Sequence, residues 1–191
     1  MLASASLTNA DWYLMRASGV VALLLLTGSF VLGIATFRRW RPGNMPRFVT
    51  AGLHRSISLL AVVFLAVHVI TAVADPYSVL GAGAIFVPYL SAGHSAFWVG
   101  LGALSLDLFI ALIVSSLLRA RIGARTWRAI HWAAYASWPL AVVHSFGMGT
   151  DATSTWLLAI GAASLAAVAG AVAWRLGAPR SKHLEPRTVA L

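Results

Sequence analysis

Four of the six histidines fall inside long apolar stretches and form two pairs: His54 and His68, 14 residues apart, and His131 and His144, 13 apart. An ionisable side chain inside a hydrocarbon layer is costly and marks a functional position by default. Imidazole is a common axial ligand of haem iron. At about 100° per residue, 14 residues of helix bring His68 to within roughly 40° of His54 and about 21 Å along the axis, which sets one ligand near each face of a membrane. The 13-residue spacing fits less well, since an ideal helix leaves His144 about 140° from His131. Pro139 lies between them. By removing a backbone hydrogen bond it is expected to shift the local phase. The alternative is that these histidines hydrogen-bond across a helix bundle, but each of the four would then need its own buried partner. A zinc site would gather its ligands into one shell, whereas these are spread over the thickness of the layer. His94, in a loop, and His183, near the C-terminus, are expected to be solvated.

Composition supplies the layer. The 191 residues are 60% hydrophobic and 10% charged, with a mean hydropathy of +0.83. A soluble domain carries about 25% charged residues, so the chain belongs in the membrane class. Cysteine is absent, which excludes disulfides, thiolate metal sites and iron–sulfur clusters. Five segments have about the 20 apolar residues that cross a hydrocarbon core of roughly 30 Å: about 17–37, 51–74, 96–118, 127–148 and 155–174. The expected fold is an all-α bundle of about five transmembrane helices. Residues 1–174 would form one membrane domain and 175–191 a basic tail. The N-terminus has no basic n-region, so the first segment is expected to be a retained helix rather than a cleaved signal peptide.

Charge placement orients the bundle. Of the 14 Lys and Arg, all but Arg16 lie in or beside the first loop, the third loop or the tail, which share one side of a five-span chain. Asp11, Asp75 and Asp151 lie on the other. The positive-inside rule then predicts an outer N-terminus and a cytoplasmic C-terminus. The net charge of +9 is thereby assigned to juxtamembrane loops that meet anionic lipid head groups, not to nucleic acid. The second and fourth segments run in the same direction. His54 is therefore expected to pair with His131 near the cytoplasmic face, and His68 with His144 near the outer face.

Haem propionates are anions that need donors. Arg55, Arg128 and Arg125 lie at the level of the inner pair, and Arg16 is the basic residue on the outer side; each is a candidate, with ordinary topological charge or snorkelling as the alternative. Asp107, within the third segment, would be paired, protonated or part of a proton path, or would make a helix–helix hydrogen bond. Trp138 and Phe64 fall about midway between the ligand levels, where an aromatic could lie between two haems or simply fill space. The stretch 75–95, rich in Gly and Pro, is expected to lie at the outer interface or fold over a helix end. Small-residue runs such as Gly161–Ala171 look like packing faces.

The pairs His54/His68 and His131/His144 resemble the haem-ligand pattern of the ferric reductase-like transmembrane domain. Their settings are GLHRSISLLAVVFLAVH and WRAIHWAAYASWPLAVVH, and FWVGLGALSLDLFIAL on the third segment is also similar to that family. The family includes the membrane parts of ferric reductases and NADPH oxidases and the haem subunit of a bacterial methionine sulfoxide reductase system. The resemblance spans about residues 12–174. It implies a multi-pass protein of the plasma membrane with two b-type haems. Electrons would pass from a cytoplasmic flavin to the inner haem, the outer haem and an outside acceptor such as ferric chelate, oxygen or a partner protein. Many members carry a C-terminal FAD and NAD(P)H domain. Here 17 residues follow Trp174 and no G-x-G-x-x-G occurs, so FAD is expected only on a separate flavoprotein reductase, or the donor is a quinone. Five spans are expected where six are common. The alternative function is a quinone-linked cytochrome b subunit of a larger redox complex.

Overall fold

The computed structural model describes residues 2–41, 43, 46–75, 82–90, 96–148 and 153–177. Tyr77, His94, Asp151 and His183, and the tail beyond Gly177, lie outside the described residues. Regular structure among the described residues is entirely helical: α1 Leu2–Phe37, α2 Arg47–Ala74, α3 Ala96–Leu117, α4 Arg119–His131, α5 Ala134–Gly147 and α6 Thr155–Leu176, with a short 3-10 helix at Ala82–Ile85. Four stretches are long and apolar enough to cross a membrane: Ala10–Phe37, Phe48–Ala74, Ala96–Leu117 and Thr155–Leu176. The chain is an all-α membrane protein. Large apolar side chains such as Leu59, Val63 and Ile70 on α2 are more than half exposed, as expected where the surrounding solvent is hydrocarbon. Helix α1 starts well before Ala17. No Gly or Pro precedes Gly19, so nothing stops the helix from propagating through this Ala-, Ser- and Leu-containing stretch.

The expected span at 127–148 is not one helix. It is divided between α4 and α5, with Trp132 and Ala133 at the joint. Both residues keep helical φ but have ψ near −20°, the signature of a tighter 3-10 turn. Three consecutive-turn bonds confirm it: Ala133 N–H to Ile130 O (2.8 Å), Tyr135 N–H to Trp132 O (3.0 Å) and Ala136 N–H to Ala133 O (3.0 Å). A 3-10 turn advances about 20° more per residue than an α-helix. It therefore rotates His144 towards the face of His131. The phase shift expected at Pro139 is thus made upstream of it, and Pro139 sits within the continuous helix α5. A second break lies inside α4 at Gly123, whose φ of 78° is open to glycine at little cost.

The helices are arranged around a gap. Helix α1 lies along α2, α3 lies along α5, and α1 also packs on α5 and α6. Helix α2 therefore rests on α1 rather than on α5. The core is built from Leu23 of α1, Trp138 and Val142 of α5, and Val168 of α6, with Phe30 and Phe146 against them. Trp138 donates its indole N–H to Thr27 Oγ1 on α1 at 3.0 Å, so it serves as a packing residue between α1, α5 and α6. Helices α3 and α5 approach closely enough for Ser105 and Ser137 to exchange hydroxyl-to-carbonyl bonds (2.8 and 3.4 Å). At the other end, the guanidinium of Arg175 bonds to Tyr135 Oη. It also lies 4.3 Å from the Phe37 ring centre and 4.8 Å from that of Trp132. These cation–π contacts tie the end of α6 to the α4–α5 joint.

Candidate cofactor site

One pair of the histidines in the apolar stretches, His68 and His144, meets across the gap between α2 and the α4–α5 segment. His68 and His144 face each other with ring centres 6.4 Å apart and planes at 76°. His54 and His131 stand towards the other end of the same two segments. Helix α1 runs antiparallel to α2, with His68 on Met15 and His54 on Ser29, and antiparallel to α5, with Trp138 on Thr27 and Tyr135 on Phe30, so α2 and α5 run in the same direction, as the loop arithmetic requires.

Three of the four rings are locked in the same way. His68 Nδ1–H donates to Met15 O (2.8 Å), His54 Nδ1–H to Ser29 O (2.9 Å) and His144 Nδ1–H to Trp98 O (2.8 Å). A carbonyl oxygen can only accept, so each bond places the proton on Nδ1 and leaves the Nε2 lone pair free. That is the tautomer a metal ligand needs, and the carbonyl also raises the basicity of Nε2.

In every case the residue four positions after the carbonyl is glycine: Gly19 after Met15, Gly33 after Ser29 and Gly102 after Trp98. Helical Cβ atoms lean towards the N-terminus, so the side chain at i+4 covers the carbonyl of residue i. Removing it uncovers the carbonyl and lets an imidazole lie against the backbone. A Cβ on Gly19 would stand 2.9 Å from His68 Nδ1, one on Gly102 2.7 Å from His144 Nδ1, and one on Gly33 3.4 Å from His54 Cε1. These glycines were not singled out from the sequence. Their signal was nevertheless present: Gly19 and Gly33 are 14 residues apart, the same spacing as His54 and His68.

His131 is the exception. Its Nδ1 is buried with no hydrogen-bond partner among the described residues. Its ring stacks on Trp127 instead, centre to centre 4.8 Å and planes at 29°. Trp127 in turn donates Nε1–H to Ser116 Oγ (3.3 Å) and carries the Arg119 guanidinium 4.2 Å from its ring centre.

The His68–His144 pair opens on an apolar cavity of about 740 Å³, counting its open mouth, lined by Leu26, Leu65, Val69, Phe109 and Ala141 along with the two histidines. A metal held at about 2.0 Å from two opposed imidazole nitrogens puts the ring centres about 6.2 Å apart, each centre lying about 1.1 Å behind its nitrogen. The observed 6.4 Å matches that requirement. Two imidazoles leave most of a metal's coordination shell unfilled. Among the described residues no three His, Cys, Asp or Glu converge. A metal bringing its own equatorial ring, as haem iron does, suits this pair.

The arginine candidates are spread around the two ends. Arg55 and Arg128 are exposed beside His54 and near His131, and Arg125 is exposed one turn before Arg128. Arg16 follows Met15, whose carbonyl holds His68, and its guanidinium is 4.5 Å from the Trp12 ring centre. Asp107 is half-buried in the middle of α3, and Phe64 half-buried on α2.

Fold and site together define a membrane-embedded helical bundle that opposes imidazoles across an apolar gap. The chain belongs to the ferric reductase like transmembrane component family, whose model matches residues 18–142. That span contains His54, His68, His131 and the three cradle glycines and ends two residues short of His144. No curated protein and no solved structure matches the chain significantly. Members of this family are transmembrane electron-transfer components that generally bind haem. The protein is accordingly a membrane redox component with a redox partner.

Proposed function

We propose that the chain carries electrons across the bilayer through two b-type haems, each clamped between two imidazoles. His54 and His131 hold the inner haem, and His68 and His144 the outer one. The observation that carries this reading is the His68–His144 pair: two rings 6.4 Å apart, each with its proton drawn to Nδ1 by a helix carbonyl. Haem supplies a one-electron carrier when bound. The protein's own residues do the rest. The carbonyl–glycine cradles hold the tautomer and the ring plane, and Leu26, Val69 and Phe109 keep water from the outer pocket. Arg55 and Arg128 at the inner end and Arg16 at the outer end are the proposed propionate partners.

Two imidazoles per iron leave no open coordination position, so transfer to the outside acceptor is outer-sphere. The acceptor is of the class of ferric chelate, oxygen or a partner protein. The donor is a separate flavoprotein or a quinone meeting the side that carries Arg119, Arg121 and Arg128. That side is cytoplasmic, and the membrane is the plasma membrane. The test is the absorption spectrum of detergent-purified protein before and after dithionite, with pyridine haemochrome quantification. Two haems b per chain are expected. A colourless protein, after expression with ample haem supply, ends the proposal.

A further inference from the structure

The last residue of α5 is Gly147, three positions after His144. Its φ is not in the positive region, so the backbone there would suit any residue, and glycine only weakens the helix. What requires a glycine is a ring. The indole of Trp98, in the first turn of α3, lies against the bare Cα so closely that a Cβ would intrude on it. Phe97 meets the same indole edge-on, ring centres 5.2 Å apart. Trp98 also accepts Nδ1–H of His144 on its carbonyl oxygen (2.8 Å). One residue of α3 thus grips α5 twice, with its side chain at Gly147 and with its backbone at His144. His68 takes its acceptor, Met15 O, from a different helix, α1, and the two imidazole planes stand at 76°. An imidazole bonded at Nδ1 turns with its acceptor, so this angle depends on where Trp98 is held.

We infer that Trp98 and Gly147 form a key that sets the plane of the His144 imidazole against that of His68. Trp98 is the positioning residue, acting on His144 through its carbonyl, and Gly147 is the seat that holds its ring. This rests on the reading of His68 and His144 as the two ligands of one haem. The contact has a counterpart one step along α5: a Cβ on Gly161 of α6 would intrude on the ring of Phe146. Phe146, however, packs against the core of Leu23, Trp138, Val142 and Val168, and no histidine ring takes its acceptor there. Similar steric crowding at the two glycines should therefore have different consequences for the ligand.

The experiment is electron paramagnetic resonance of the oxidised, haem-loaded full-length protein in detergent. The angle between two axial imidazole planes governs the spread of g values of a low-spin ferric haem, and near-perpendicular planes give a wide one. The signal of the outer haem is the one that His68→Ala removes. Gly147→Ala, which unseats the indole, should shift its lowest-field feature while the pyridine haemochrome count stays at the wild-type level. Trp98→Leu keeps the carbonyl but not the ring and should shift the same feature, whereas Trp98→Phe, which keeps a ring for the seat, should stay near wild type. Gly161→Ala should leave the signal where it is. Should Gly147→Ala not fold, Trp98→Leu and Trp98→Phe decide between them. An outer-haem signal unmoved in Gly147→Ala and Trp98→Leu, or moved as far by Gly161→Ala, overturns this inference and leaves the haem assignment standing. A protein without haem overturns both.

Discussion

The imidazole of His144 lies against the bare Cα of Gly102, at the point where any other residue would place a side chain. A Cβ there would be 2.7 Å from both Nδ1 and Cε1 of the ring. The ring cannot simply step aside, because Nδ1–H is bonded to Trp98 O. Gly102→Ala should therefore displace His144 and remove the outer haem. Alanine in mid-helix is otherwise more stable than glycine by about 0.5–1 kcal/mol, so loss of haem from a helix with improved propensity isolates the steric cause. Gly28→Ala is the control, since its nearest neighbour is Ile57 Cγ2 at 3.8 Å. Pyridine haemochrome counts on the two variants make the comparison: about half the haem lost in the first, none in the second. Equal haem content in both would remove the cradle from the argument.

Histidine replacements should sort by depth. His68→Ala and His144→Ala are expected to abolish the same spectral component, and His54→Ala and His131→Ala the other. A redox titration followed by absorption resolves the two components in wild type and counts what is left in each variant. If His54→Ala and His68→Ala lost the same component, the assignment of ligands to levels would be wrong.

Thr27 and Trp138 make an asymmetric pair. Thr27 Oγ1 accepts the indole N–H and donates to Leu23 O at 2.8 Å. Replacing Trp138 by Phe leaves the threonine hydroxyl satisfied by its own helix. Replacing Thr27 by Val strands a buried indole N–H, which costs about 1–3 kcal/mol. Beyond whatever Trp138→Phe costs in packing volume, the double variant should gain nothing from restoring Thr27. Thermal unfolding in detergent measures this: Thr27→Val alone should lower stability, and the same change in a Trp138→Phe background should have little further effect.

Orientation can be read by labelling, and the absence of native cysteine makes each introduced thiol unique. Arg121→Cys, exposed in α4, and Phe86→Cys, exposed after the 3-10 helix, should lie on opposite sides of the membrane. A membrane-impermeant maleimide applied to intact cells should label Phe86→Cys and spare Arg121→Cys until the cells are opened. The reverse pattern would invert the proposed topology.

Much of the site was legible in the order of residues. Membrane class follows from hydropathy, because an apolar run of 20 residues has few other places to go. The co-direction of the two histidine helices follows from counting loops and placing arginines. The 14-residue step from His54 to His68 is close to four whole turns, so one face could be inferred without seeing it. The meeting of His68 with His144 needed only those two facts.

The rest depended on which helix lies against which. Nothing local marks Met15, Ser29 and Trp98 as acceptors, since every backbone carbonyl is chemically alike and only an incoming ring distinguishes these three. The glycines four residues on look like ordinary packing positions until α1 is laid antiparallel on α2 and α3 on α5. The joint at Trp132–Ala133 was equally hidden: both residues tolerate an α-helix, and Pro139 drew attention nearly two turns too late. Trp138 faces α1 because Thr27 waits there to accept its N–H. Side-chain type and spacing are properties of one strand of sequence and can be read along it. A hydrogen bond to a carbonyl on another helix is a property of two, and it exists only once the bundle has closed.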